Sequence, residues 1–374
     1  MKRILFQLFA LLIFSAYTTN AQQTIKLYVG TFTAGESEGI YLCDFDANSG
    51  KLIPGKIFKG IDNPNFLKIS PDKKYLYAAT RPPAIIEKPG GYINSYKINW
   101  DGELQFLNKQ VSHGNDPCHV DVSDDGKLVA IATYGGGSVS LFPVEKNGKL
   151  LPASSTIYFT GSGPNKARQN EPHAHSIKFS PLGNQVFSAD LGTDQLNIFE
   201  LEGEELIFGD QEFIKTNPGA GPRHFDFHPN GEFIYTINEL NSTITVFQKE
   251  NDAWEKFQTV STIPSEFSAD NYCADIHVSA NGKFLYGSNR GHNSIAVFKI
   301  DEAKNMLELI TTVPAEGKWP RNFTLTKDGE FMLVANQNSN NITVFRINQE
   351  TGIPAFTGNE LKIPAPVCLE FLNY

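Results

Sequence analysis

The sequence predicts an all-β chain folded as a seven-bladed β-propeller with four-stranded blades, and three observations carry that prediction. One unit of strand, tight turn, strand, turn, strand recurs six times along the chain. Its turn position falls at Lys73, Gly126, Gly183, Gly231, Gly282 and Gly329, at intervals of 53, 57, 48, 51 and 47 residues. The two ends of the chain hold the missing parts of a seventh unit. A repeat of about 40–50 residues with several strands each is the signature of propeller blades, since one such sheet cannot bury its faces alone.

The unit is clearest in Gly221–Phe247, GPRHFDFHPNGEFIYTINELNSTITVF. His224, Asp226 and His228 alternate with Phe225 and Phe227, the period of two expected of a strand. Pro229-Asn230-Gly231 is a tight turn, because Asn and Gly tolerate positive φ. Phe233–Asn238 reads as the second strand and Thr243–Phe247, rich in β-branched residues, as the third. The other copies are Asn63–Thr80, Asp116–Val144, Pro172–Leu201, Tyr272–Ile300 and Trp319–Ile347. A fourth strand is expected in the variable stretch after each copy, as at Leu150–Thr160 and Leu307–Val313. At the ends, Leu27–Asp46 matches the second and third strands of the unit and Pro366–Leu372 matches the first. Pairing them makes a closing blade shared by the N- and C-terminal strands and removes two exposed sheet edges.

Residues 22–374 therefore read as a single propeller domain. The first residues read differently. Lys2-Arg3, the apolar run Ile4–Ala16 and the small residues around Thr19-Asn20-Ala21 predict a secretory signal peptide over residues 1–21. The run is too short for an ordinary membrane span, so a periplasmic or secreted protein with no membrane attachment after cleavage is expected. The formal net charge is −9, and loss of Lys2 and Arg3 takes it to −11. A body this acidic argues against nucleic acid as a partner, which requires a basic face. The four cysteines, Cys43, Cys118, Cys273 and Cys368, fall on strands of different blades and are expected as free thiols. Eight histidines occur without an HExxH or Cys/His cluster, so neither a metal nor another cofactor is predicted. The expected assembly is a monomer or a weak dimer.

Positions that share a structural role in every repeat should carry similar residues unless a local function intervenes. Two positions vary sharply. Eight residues before the turn the copies read Asn65, Cys118, His175, Arg223, Ala274 and Arg321; eight after it they read Arg81, Tyr134, Leu191, Glu239, Arg290 and Gln337. In a propeller both sets can converge on one mouth of the axial channel. His175, Arg223, Glu239 and Arg290 form the predicted catalytic set: an imidazole that moves protons near neutrality, two fixed cations for an acid group or oxyanion, and a carboxylate. His173, Arg168, Tyr134, Arg321 and Asn289 are the predicted substrate-binding residues. The insertion Gly161–Glu171 could bring Lys166 and Arg168 over an anionic substrate as a flap. Alternation places His119 and His224 on the face opposite Cys118 and Arg223, packed between blades; His228 and His277 have no assigned role. Gly135-Gly136-Gly137 precedes a strand, not a helix, and so reads as a permissive turn and not as a phosphate loop.

The segments GSGPNKARQNEPHAHS, GAGPRHFDFHPNGEFIYTINEL and SNRGHNSIAVF, with LYVGTFT and KWPRNFTL near the ends, resemble the seven-bladed lactonase family of bacterial 6-phosphogluconolactonases and fungal carboxymuconate-lactonizing enzymes. The resemblance implies a metal-independent enzyme acting on a small-molecule sugar-acid lactone, with its catalytic His, Arg, Glu and Arg at His175, Arg223, Glu239 and Arg290. For hydrolysis of the ring, Arg290 is expected to anchor the substrate's anionic group, Arg223 to face the carbonyl oxygen, and Glu239 and His175 to act as base and acid, in either order. It leaves two alternatives: a periplasmic propeller that only binds an acidic ligand or protein, and a muconate-type cycloisomerase that closes the ring.

Overall fold

The computed structural model describes residues 24–82, 90–181, 183–301 and 306–372. The signal sequence read at residues 1–21 lies outside them. The described residues form seven antiparallel sheets and no helix. Six sheets, blades 1 to 6, follow in chain order from the inner strands Pro64–Ile69, Pro117–Val122, Ala174–Phe179, Pro222–Phe227, Tyr272–Val278 and Pro320–Leu325. The closing blade runs Pro366–Leu372, Thr24–Thr31, Gly39–Asp46, Lys51–Lys59 from inside to outside. Its innermost strand pairs antiparallel with the first strand of the described chain, Leu27 opposite Phe371, so the two ends clasp the ring.

Two outer strands depart from expectation. The stretch Leu150–Thr160 contributes only Ser155–Tyr158, because Leu150 bridges back to Val144 and Pro152 supplies no N–H. In blade 3 the outer edge is broken into Glu205–Ile207 and Phe213–Lys215, both paired with Gln195–Glu202 around the Gly209-Asp210 turn.

The turn joining the first two strands is built the same way in blade after blade. In blade 2 the Ser123 hydroxyl donates to Asp125 (2.8 Å) and accepts from the Leu128 N–H (3.0 Å), while the Asp125 carboxylate accepts from the Lys127 N–H. Ser70, Ser279 and Thr326 repeat the pattern. The residue between is left-handed, φ 71° at Gly126 and 74° at Gly231, which explains the recurrent glycine.

Seven apolar clusters hold the ring together, one for each pair of neighbouring blades. Strand alternation supplies both faces. In the closing blade Leu27 and Val29 pack against Leu333 and Val344 of blade 6, while Tyr28 and Leu42 pack against Leu67 and Leu76 of blade 1. The inner strands pair on one edge only, and their other N–H groups need acceptors. Carboxylates from the preceding blade provide them: Asp121 accepts from Phe179 N–H (2.9 Å), Asp226 from Val278 N–H (2.9 Å) and Glu370 from Ile69 N–H (3.1 Å). Lys68 and Lys178 fall between these carboxylates and pair with Glu370 (3.9 Å) and Asp226 (2.8 Å). Opposite charges thus alternate around the channel wall.

Candidate active site at the axial mouth

Each inner strand of blades 1 to 6 carries a β-bulge near its start. Pairing to the second strand skips Asn65, Cys118, His175, Arg223 and Arg321, and in blade 5 it skips both Ala274 and Asp275. A bulge re-aims side chains by breaking the period of two. Here it turns two successive residues toward the axis. Asn65, Cys118 and Arg321 line an upper cavity of about 430 Å3, while their successors Phe66, His119 and Asn322 line a lower one of about 90 Å3. Between the two lie the rings of Phe66, His119, His224 and His175, with centroids 4.1 Å apart for Phe66–His119, 5.3 Å for His119–His224 and 5.5 Å for His175–His224. His119 and His224 are therefore axial, not packed between blades as strict alternation would have them.

The second-strand residues reach the same mouth because the ladder continues past the strand ends. The N–H groups of Arg81, Tyr134 and Glu239 bond to the carbonyls of Asp62, Asp116 and Gly221, just before each inner strand. Arg81, Tyr134, Glu239 and Arg290 line the cavity together with Asn65, Cys118, His175, Arg321, Arg168, Asp116, Tyr272 and Trp319.

Glu239 is the hub. It is buried, and its Oε1 accepts from Arg168 Nη2 at 2.6 Å and its Oε2 from Arg290 Nη2 at 2.7 Å. Arg223 Nε lies 3.2 Å from the same Oε2, an ion-pair distance without hydrogen-bond alignment, and this N–H has no aligned acceptor among the described residues. Burial by itself would raise the Glu239 pKa; Arg290, Arg223 and Arg168 reverse that and hold it at about 2. Arg290 is fixed further by the Tyr272 and Cys273 carbonyls (3.2 and 2.9 Å), which leaves Nη1 unengaged among the described residues. His175 is buried, and its Nδ1 meets only the Cys118 thiol at 3.9 Å among the described residues. Burial, then Arg223, His224 and Arg321, push its pKa well below the ordinary histidine value, so it is neutral at neutral pH.

The cavity carries more cation than anion. Four arginines line it against Glu239 and Asp116, with Arg223 below, inside a chain of formal charge −9. Arg81 pairs with Asp116 (3.1 Å) and stacks over Phe32, 4.7 Å from the ring centroid. Arg321 stacks over the same ring at 5.2 Å, and among the described residues no carboxylate or carbonyl accepts from its guanidinium. Arginine keeps its charge in proteins, so this cation is unmet.

Of the predicted catalytic set, His175, Glu239 and Arg290 line the cavity. Arg223 is 2% exposed and sits beneath it, donating to the Ala274 carbonyl (2.5 Å) and not to the open space. Of the predicted binding residues, Arg168, Tyr134 and Arg321 face the cavity. His173 does not: it stacks behind Tyr134 at 4.3 Å, its Nδ1–H donating to the Tyr134 carbonyl at 3.0 Å. Asn289 does not either. Alternation with Arg290 turns it into the sheet, where its amide donates to the Thr262 carbonyl and accepts from the Thr262 hydroxyl. In the Gly161–Glu171 loop, buried Gln169 bonds to Leu191 and Asp194 and delivers Arg168 to the cavity, while Lys166 is exposed to solvent. The Gly135–Gly137 turn is a close-packing device: a Cβ on Gly136 would lie 2.5 Å from Gly114 Cα. His277, given no role from sequence, lies 3.2 Å from Asp275 and lines the lower cavity.

Asp116, Tyr272 and Trp319 were not singled out by the repeat comparison, which considered only two positions. A third was available. Asn63, Asp116, Gly221, Trp319 and Ala365 each precede the proline that opens an inner strand, each has positive φ, and they differ from copy to copy.

Comparison with known proteins agrees with this architecture. The family model described as lactonase, 7-bladed beta-propeller matches residues 26–371. A 6-phosphogluconolactonase of Bacillus subtilis is 36% identical over 352 residues, covering 92% of this chain and 98% of its own length. A 6-phosphogluconolactonase of Formosa agariphila is 37% identical, covering 80% of this chain and 86% of its own. Among solved structures, a periplasmic gluconolactonase of Pseudomonas aeruginosa superposes with a TM-score of 0.87 at 31% identity, covering 93% of this chain and 99% of that one.

Proposed function

This chain belongs to the seven-bladed β-propeller lactonase family, and on that footing we propose that its axial cavity hydrolyses the lactone of a sugar acid. One observation carries the reading: the buried His175 imidazole opens onto an arginine-rich cavity in which Arg168 and Arg290 are locked on the Glu239 carboxylate.

Water adds to the lactone carbonyl as His175 takes its proton. Arg290 is preorganised by three acceptors, and its free Nη1 supplies hydrogen bonds to the oxyanion that develops. The tetrahedral intermediate then collapses. His175 returns the proton to the ring oxygen as its bond to carbon breaks, leaving a hydroxy acid. Glu239, expected from sequence to share the proton work, serves here as the counter-charge that fixes the arginines, because both its oxygens are occupied and its basicity is low. Arg223, expected at the carbonyl oxygen, acts from beneath as a positioning charge. Arg321, with Arg81 across the Phe32 ring, receives the acid group of the substrate, a task the sequence suggested for Arg290.

The test is a panel of neutral, phosphorylated and carboxylated sugar lactones given to the parent and to Arg321→Gln. The parent is expected to open lactones above the spontaneous rate. The variant is expected to lose about 10-fold or more in kcat/KM on anionic lactones, the scale of one charge-assisted contact, and far less on the neutral one. Tight binding of an acid without ring opening would identify a binding module and overturn the hydrolase reading.

Export by residues 1–21 is part of the same proposal, supported by the Lys2-Arg3 and Ile4–Ala16 pattern and by similarity to a periplasmic gluconolactonase. Among the described residues no helix is long and apolar enough to cross a membrane. N-terminal sequencing of protein from the native cell envelope is expected to begin at Gln22; a chain retaining Met1–Ala21 in the cytosol would refute export.

A further inference from the structure

We propose that Asp275 and His224 are positioning residues for this site: through one fixed imidazole tautomer they hold the Arg223 guanidinium against Glu239 and beneath His175. The kinetic part of this proposal rests on the lactonase reading; the structural part does not.

Asp275 is 3% exposed and joins three blades. Its Oδ1 accepts from His224 Nδ1 of blade 4 at 2.7 Å. Its Oδ2 accepts from Asn322 Nδ2 (2.5 Å) and Phe323 N–H (3.2 Å) of blade 6, and from His277 Nε2 of its own blade (3.2 Å). The direction of the next link is forced. Arg223 Nη1 can only donate, so its 3.1 Å contact with His224 Nε2 requires a lone pair on that nitrogen. The ring proton therefore sits on Nδ1 and points at Asp275. Burial, then the Arg223 charge, holds the His224 pKa at about 3, in keeping with a neutral ring. The other end of Arg223 is less constrained, since its Nε is near Glu239 but not aligned with it. Its place is set from the Nη1 side, by His224 and the Ala274 carbonyl.

The bulge makes this possible. It places Arg223 and His224, adjacent in sequence, both toward the axis, one under the upper cavity and one facing the lower. What Arg223 does from there is electrostatic. The groups around His175 are Cys118 and Tyr134 from blade 2, Arg223 and His224 from blade 4 and Arg321 from blade 6. Arg223 is the foremost charge among them keeping the imidazole unprotonated.

In Asp275→Asn the amide must keep its oxygen toward Asn322 and Phe323, both donors, and turn its NH2 toward His224 Nδ1. The imidazole then takes the Nε2–H tautomer and aims an N–H at the Arg223 N–H. The guanidinium then faces a donor where it had an acceptor and loses this contact, a wrong-tautomer defect of the kind that costs a histidine relay its rate.

The experiment combines kinetics with nitrogen NMR of histidine-labelled full-length mature protein. The parent is expected to show His224 as the Nδ1–H tautomer, and Asp275→Asn as Nε2–H. The variant is expected to lose about 10–100-fold in kcat with KM little changed, and the acid limb of its pH profile is expected to move upward. A parent His224 found as Nε2–H or as imidazolium overturns the proposal. So does a folded Asp275→Asn with kcat within about twofold of the parent and an unmoved acid limb. If Asp275→Asn does not fold, His224→Gln and His224→Leu decide. Gln keeps an acceptor facing Arg223 and is expected within a few-fold of the parent, Leu about 10–100-fold below; equal losses overturn the proposal. A parent without lactone turnover refutes the hydrolase reading alone, and the tautomer measurement still judges the relay.

Discussion

His175→Ala is expected to lower kcat for lactone hydrolysis by about 10²–10⁴-fold, the range of a positioned proton-transfer group, with KM close to the parent value. The separation of the two parameters follows from geometry. The imidazole makes no strong hydrogen bond among the described residues and borders a cavity whose binding groups are arginines, so its loss removes proton transfer and leaves substrate affinity in place. The pH profile follows from the sign of its shift. The active form is the neutral ring, and burial with three neighbouring cationic or imidazole groups lowers the pKa. Activity in the parent is therefore expected to persist as pH falls past about 6.5, where an unperturbed histidine would be half protonated. An acid limb at or above that pH, or a variant within a few-fold of the parent, would remove His175 from the chemistry.

Glu239→Gln is expected to have the largest effect on stability, about 3–5 kcal/mol, read as a drop in Tm and in denaturant midpoint. The carboxylate is 5% exposed and is the shared counter-charge of Arg168, Arg223 and Arg290. An amide of the same shape leaves these cations facing one another with no compensating charge. Activity should fall with it, because the amide has one acceptor oxygen where the carboxylate has two, so either Arg168 or Arg290 is left with its Nη2 facing an NH2 group. The parent shows the same dependence through pH. The folded pKa of about 2 lies below the unfolded carboxyl value, so the stabilisation is complete above the latter. It fades as pH falls from about 4.3 toward the folded value. The gap in Tm between parent and variant should therefore be full at neutral pH and narrow in acid. A gap that widens on acidification would show that the three-arginine hub is not what stabilises this mouth.

Much of the site could be found from the sequence because a repeat contains its own control. His175, Glu239 and Arg290 stood out where sister copies carry Ala274, Leu191 or Gln337, and the structure brings all three to one cavity. Asn289 shows the limit of that approach: beside Arg290 it resembled a ligand group, yet alternation turned it into the sheet. His173 was displaced for a different reason. It lies before its strand begins, where the chain places it behind the Tyr134 ring.

Periodicity is a short-range property, and it was enough to give the blades, their order and the clasp between Thr24–Thr31 and Pro366–Leu372, because each follows from apolar alternation and turn chemistry within a few residues. The roles of Arg223, His224 and Asp275 were out of its reach. A bulge puts one extra residue into its strand with no mark in the sequence pattern, and so breaks the alternation of side chains across it. Whether a strand bulges depends on how it must pack against its neighbours around the axis. Only once seven sheets are closed into a ring does Arg223 pass beneath the cavity, His224 reach Asp275 of the next blade, and Arg321 stack on Phe32 without a carboxylate or carbonyl partner among the described residues.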